Sequence, residues 1–167
     1  AWQVWNFKAK FLLLSGSRWK ELFDPILWRT SPHYGLGLPL LHVWTWSFSN
    51  GPVQTIPLFN TILFNILAGG LVFSFTFQLT GNRLSFLPAI LIYLIPAYLI
   101  LATSQYADIL IGLFLMAGLC CFVLGWNDKN SSWLILSGGL LGMLSFFKPE
   151  GLIASGLVAV LATLLLL

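Results

Sequence analysis

The side chains of this chain that can do chemistry fall in three short stretches far apart in sequence. Lys8 and Lys10 stand two residues apart in an aromatic segment, Asp108 ends an uncharged run that begins at Leu84, and Lys148 and Glu150 flank Pro149. Lysines among tryptophans and phenylalanines suit an anion at a membrane surface, either a bound phosphate or the headgroups toward which interfacial lysines snorkel. Asp108 stands where it could cap the helix expected to begin at Ile109 or bind a polar ligand. Lys148 and Glu150 either pair locally across the proline or line a site. His33 lies in a polar loop, where solvation is the ordinary fate of a histidine, and His42 sits among aromatics as an interfacial packing residue. Adjacent Cys120 and Cys121 in an apolar run point in different directions and read as packing residues.

These stretches are separated by elements of unusual composition. The chain has 167 residues, 58% hydrophobic and 8% charged, whereas a soluble domain is about a quarter charged. Its surface is therefore expected to face lipid. No charge occurs between Arg29 and Arg83, and further uncharged runs cover 84–107, 109–127, 130–147 and 151–167. Each approaches or exceeds the roughly 20 residues that cross a hydrocarbon core as a helix. The runs are continuous rather than alternating, so they read as helices and not barrel strands. The expected fold is all-α, a polytopic transmembrane bundle with five spans near 53–79, 84–104, 108–126, 132–147 and 151–167. Kinks are expected at Pro57, Pro88 and Pro96. Close helix contacts are expected at Gly69, Gly70, Gly138, Gly139 and Gly142.

Residues 1–52 form a separate unit. Trp2, Trp5, Phe7, Phe11 and Leu12 alternate with Lys8 and Lys10, which predicts an amphipathic helix lying in the interface, aromatics down and cations up, ended by Gly16. A second interfacial stretch over 36–48 leads to the turn at 49–52, with a short span as the alternative reading. Five of the eight cations precede residue 30, so this segment should meet something anionic. No signal peptide is recognisable, and the apolar run at 164–167 has no flanking belt, so a fragment truncated at both ends is expected. Alternation of five spans puts 1–52, 104–108 and 147–151 on one face. It puts 80–83 and 126–132 on the other, with Arg83, Asp128 and Lys129 as plain anchors. Lys8, Asp108, Lys148 and Glu150 are thus expected to line one cavity.

Three segments carry a resemblance. The run Trp2-Gln-Val-Trp5-Asn-Phe-Lys8-Ala-Lys10, followed by Arg18-Trp-Lys20 and by Pro32-His33-Tyr34-Gly-Leu-Gly-Leu-Pro39, resembles the first extracytoplasmic loop of bacterial GT-C glycosyltransferases. These include the protein O-mannosyltransferases, aminoarabinose transferases and lipopolysaccharide-core galacturonosyltransferases. Ser104-Gln-Tyr106-Ala-Asp108 is similar to their Tyr-Ala-Asp loop, and Ser145-Phe-Phe-Lys148-Pro-Glu150-Gly to their Thr-Lys-Asn-Glu-Gly loop. Two departures stand out: the family's acidic base would immediately precede Ala1, and its second acidic position is His33, with Gly35 replacing a proline.

The resemblance implies transfer of a sugar from a polyprenyl-phosphate donor to an acceptor hydroxyl, with a carboxylate as base and positive charge at the departing phosphate. It implies Asp108 and Glu150 as catalytic candidates. Lys8, Lys10, His33, Tyr34, Tyr106 and Lys148 are the implied substrate or phosphate ligands. Implied partners are the lipid-linked donor, membrane lipid and an acceptor glycan, lipid or protein, with no nucleic acid. No cofactor is required outright, although a divalent metal is compatible with the family. The location implied is the bacterial inner membrane, multi-pass, with the active face extracytoplasmic. A transporter subunit with Asn60, Asn65 and Gln78 toward a polar pathway, or a multispanning protein without chemistry, are the competing readings.

Overall fold

The computed structural model describes residues 2–49 and 51–166, with the side chains of 2–3, 28–30 and 165–166 outside the description. Among the described residues every regular element is a helix, with no strand. A π-helical turn at Trp2–Asn6 leads into α1 (Phe7–Leu14), and two 3-10 segments follow, Gly16–Phe23 and Pro25–Thr30. Then come α2 (Gly37–Trp46), α3 (Thr55–Thr80), α4 (Phe86–Tyr93), α5 (Pro96–Thr103) and α6 (Asp108–Asn127). The chain closes with α7 (Ser131–Gly142), α8 (Leu144–Phe147) and α9 (Pro149–Leu166).

By length and composition α3 and α6 are long and apolar enough to cross a membrane, and the stretch Arg83–Thr103 makes a third if its bent halves count as one span. Five spans of equal standing are therefore not what the helices give. The expected span at 84–104 breaks between Tyr93 and Pro96 with a 71° bend. Pro96 stands at the first position of α5 and holds Ile95 extended, so the ladder cannot continue through it. Pro57 and Pro88 each fall in the first turn of a helix, where the missing N–H has no carbonyl to serve, and neither ends its helix. Among the described residues the apolar rods Ser131–Phe147 and Pro149–Leu164 are shorter than α3 and α6, at 10–17 residues. α2 has only ten residues, about 15 Å of helix, which is half a hydrocarbon core rather than a span.

Packing runs from two long helices outward. α3 and α6 lie side by side in the same direction, for Phe64 packs on the cluster of Leu110 while Val72 and Phe75 share a groove with Met116, Leu119 and Val123. α6 and α7 form an antiparallel hairpin whose close approach is made by glycines. A methyl group on Gly118 would sit 2.7 Å from Leu141 Cγ, and one on Gly125 would sit 2.8 Å from Leu134 Cδ2. As the glycine rises by seven residues the facing leucine falls by seven, the register of an antiparallel pair. This corrects the expected contact set: Gly69 does meet Tyr93, but Gly70, Gly138, Gly139 and Gly142 face open space. Buried, unpaired Cys120 and Cys121 help fill the α6 interface. Large apolar side chains such as Phe59, Ile66, Ile100, Ile135 and Leu161 stay outside, as lipid contact would require.

Candidate functional site

The site grows from the direction of that hairpin. Because α7 and α8 return along α6, Lys148 arrives beside the residue that opens α6, Asp108. Its ammonium donates to both carboxylate oxygens, at 2.8 Å and 3.0 Å. The Lys148 side chain is 11% exposed and that of Asp108 40%, so the lysine is enclosed and the carboxylate has one open side. Asp108 does not cap its helix: Ala107 is the cap residue and no side-chain cap bond forms. Its charge nonetheless sits in the first turn of α6, the end of the helix dipole that favours an anion. Lys148 does not pair locally with Glu150, which lies exposed in the first turn of α9.

Aromatic rings close the enclosed side. Trp5 and Tyr34 stack with centroids 5.4 Å apart and planes 7° from parallel. The Lys148 ammonium lies 5.8 Å from the Trp5 centroid and 5.3 Å from that of Tyr34. Cation–π attraction adds to the ion pair here, because the rings exclude the water that would otherwise screen it. His33, exposed, meets Tyr34 edge-on at 4.6 Å. Trp5, Leu38, Ala107, Leu110 and Phe147 form one buried apolar cluster under these groups.

Lys8 is where the sequence expectation reverses. Rather than lifting its cation toward headgroups, it is fully buried and donates to the backbone carbonyls of Ser31, at 2.8 Å, and Tyr34, at 3.0 Å. The helical period explains the inversion: Trp5, Lys8 and Ala9 share the face that packs inward, and an ammonium there needs acceptors. Burial lowers the Lys8 pKa from 10.5 to about 8. Lys8 thereby folds the 31–34 turn onto α1 and presents the Tyr34 ring to Lys148. Gly35 makes the next contact possible, since a methyl group there would collide with the carbonyl of Phe146, and one on Gly37 would meet the Phe147 ring at 2.5 Å.

Asn6 and Gln105 complete the junction. Asn6 is fully buried and its Nδ2 donates to Gln105 Oε1 at 2.9 Å, joining the first turns of the chain to the loop before Asp108. Neither residue was a sequence candidate, nor was Trp5 as a cation partner; the only available signal was their place inside the Trp-Asn and Ser-Gln-Tyr motifs. Lys8, Tyr34, Asp108 and Lys148 are thus connected through shared partners, with His33 at their edge. Lys10, Tyr106 and Glu150 are exposed, and among the described residues no side-chain hydrogen bond, ion pair or ring contact joins them to the four. His42 is buried between α2 and α3, its Nδ1 3.2 Å from Asn60 Nδ2, and burial lowers its pKa to about 4, so it is neutral at pH 7. Among the described residues no three of His, Cys, Asp and Glu gather. With Asp108 held by Lys148, the described residues at this junction do not make a divalent-metal site.

Chemically, the arrangement offers a carboxylate with one open side for a hydroxyl, set by an ammonium that also places positive charge nearby. Both oxygens already accept from that ammonium, so the geometry favours orienting a hydroxyl on the open side. Comparison with protein-family models, curated proteins and solved structures gives no match in any of the three.

Proposed function

We propose that this chain is part of a multi-pass bacterial inner-membrane glycosyltransferase that takes a sugar from a polyprenyl-phosphate donor at the extracytoplasmic face. The observation that carries the reading is the junction of Trp5–Lys8, Ser31–Tyr34, Asp108 and Lys148 at one end of two membrane-length helices. A donor of this class keeps its tail in lipid and its phosphate at the interface, so both charge signs have a reason to gather at a helix end. In this reading Asp108 orients a sugar or acceptor hydroxyl through its open side, and Lys148 holds Asp108 and supplies positive charge behind it. Lys8 positions Tyr34.

The test is transfer from a polyprenyl-phosphate sugar by membranes containing the full-length protein. Asp108→Asn and Lys148→Ala, compared at equal abundance, should each lose at least about tenfold, roughly 1.4 kcal/mol of transition-state stabilisation. Wild-type rates in both would remove the pair from the reaction. A second reading, a transporter subunit, is favoured by the break at Pro96 together with Asn65 Oδ1 and the Tyr98 hydroxyl, buried without partners among the described residues. Solute flux in proteoliposomes without sugar transfer would select it.

A further inference from the structure

We infer that the outward face of α1 holds one anionic glycerophospholipid of the surrounding membrane. The inference rests on the membrane placement of the chain and not on sugar transfer. Phe7, Lys10, Phe11 and Leu14 recur at the spacing of one helical face, and Ser15 and Arg18 extend it past the helix end. Together they line a groove of about 350 Å³. Its floor is apolar, with the Phe7 and Phe11 rings 6.3 Å apart and Leu14 largely exposed. Its charged lining is Lys10 and Arg18, with no carboxylate among the lining residues.

Charge and shape together select the occupant. Arg18 meets Glu21 only through Nε, at 3.8 Å between exposed side chains, an interaction too weak to neutralise it. Ser15 lines the groove and its hydroxyl has no hydrogen-bond partner among the described residues, so a rotation about its side-chain bond would offer a phosphodiester oxygen a donor that the protein leaves idle. A free phosphate would use the two cations and leave the phenylalanine and leucine floor in water. A zwitterionic lipid such as phosphatidylcholine would cover the floor but bring its own cation beside Lys10 and Arg18, which no carboxylate of the lining offsets. An anionic headgroup with an acyl chain along Phe7, Phe11 and Leu14 satisfies both. The site is separate from the junction at Tyr34, because two residues of helix turn Lys10 about 200° away from Lys8. Lys20, 5.8 Å over the Trp19 ring, marks the same flank as interfacial but does not line the groove.

The experiment reads the thermal unfolding midpoint of the full-length protein in an uncharged detergent. Dihexanoyl phosphatidylglycerol, dihexanoyl phosphatidylcholine or inorganic phosphate is added at equal concentration. Phosphatidylglycerol should raise the midpoint by roughly 2–4 °C and the other two should not. The rise should shrink between about 0.05 and about 0.5 M salt as screening tightens. Lys10→Gln with Arg18→Gln should abolish it, and Lys20→Gln should keep it. An equal rise with phosphatidylcholine, an equal rise with phosphate, or a full rise in the double variant would each overturn the inference. If the double variant does not fold, a salt-independent rise in the wild type overturns it instead. A lipid shift without sugar transfer refutes only the transferase, and transfer without the shift refutes only this site.

Discussion

Lys8 and Lys10 have the same side chain, two positions apart, and opposite surroundings. Lys10 is exposed, whereas Lys8 is enclosed by the turn whose carbonyls it binds. That difference predicts a pH signature. The folded pKa of Lys8 is depressed to about 8 while the unfolded chain keeps 10.5, so between those values the unfolded state holds a proton that the folded state has released. Stability should therefore rise as pH climbs from about 8 to 10.5 and fall back as pH drops through 8, by no more than about 3 kcal/mol. Chemical unfolding in detergent across this window, wild type against Lys8→Met, isolates the effect. An identical slope in both proteins would mean that Lys8 is solvated.

At the scale of elements, the site depends on how closely the turn before α2 approaches α8. Gly35 stands against backbone, which cannot rotate away as a side chain can. Gly35→Ala should cost about 1–3 kcal/mol by separating the Tyr34 turn from the Phe146 carbonyl, with loss of the Lys148–Tyr34 contact. Gly138→Ala offers the contrast. It is a helical glycine facing open space, so alanine there should be neutral or stabilise by up to about 1 kcal/mol. Thermal unfolding of the two variants checks both, and equal destabilisation would contradict the packing of α7.

For the whole molecule, the antiparallel return of α7 on α6 puts Ser104 and the N-terminal segment at one end and Ser131 at the other. Asn82, at the far end of α3, belongs with Ser131. With Cys120 and Cys121 replaced by alanine, single cysteines at Ser17, Ser104, Asn82 and Ser131 should react with an impermeant thiol reagent in two sided pairs. Equal labelling of Ser17 and Asn82 from one side would overturn the arrangement.

The sequence by itself determined the helical class, the ends of α3 and α6 and the gathering of three polar segments at one end. Charge-free runs of membrane length and the parity of chain reversals are one-dimensional properties. Only the tertiary structure decided which lysine turns inward, that Asp108 takes Lys148 rather than its own helix end, and that Glu150 stays apart. Those outcomes depend on the rotation of α1 and on the register of α7 against α6. Packing of particular rings and glycines sets both, across separations of 40 residues between Asp108 and Lys148 and 99 between Asn6 and Gln105. Composition carries no information about rotation around a helix axis when polar and apolar residues occur on every face, as they do in α1.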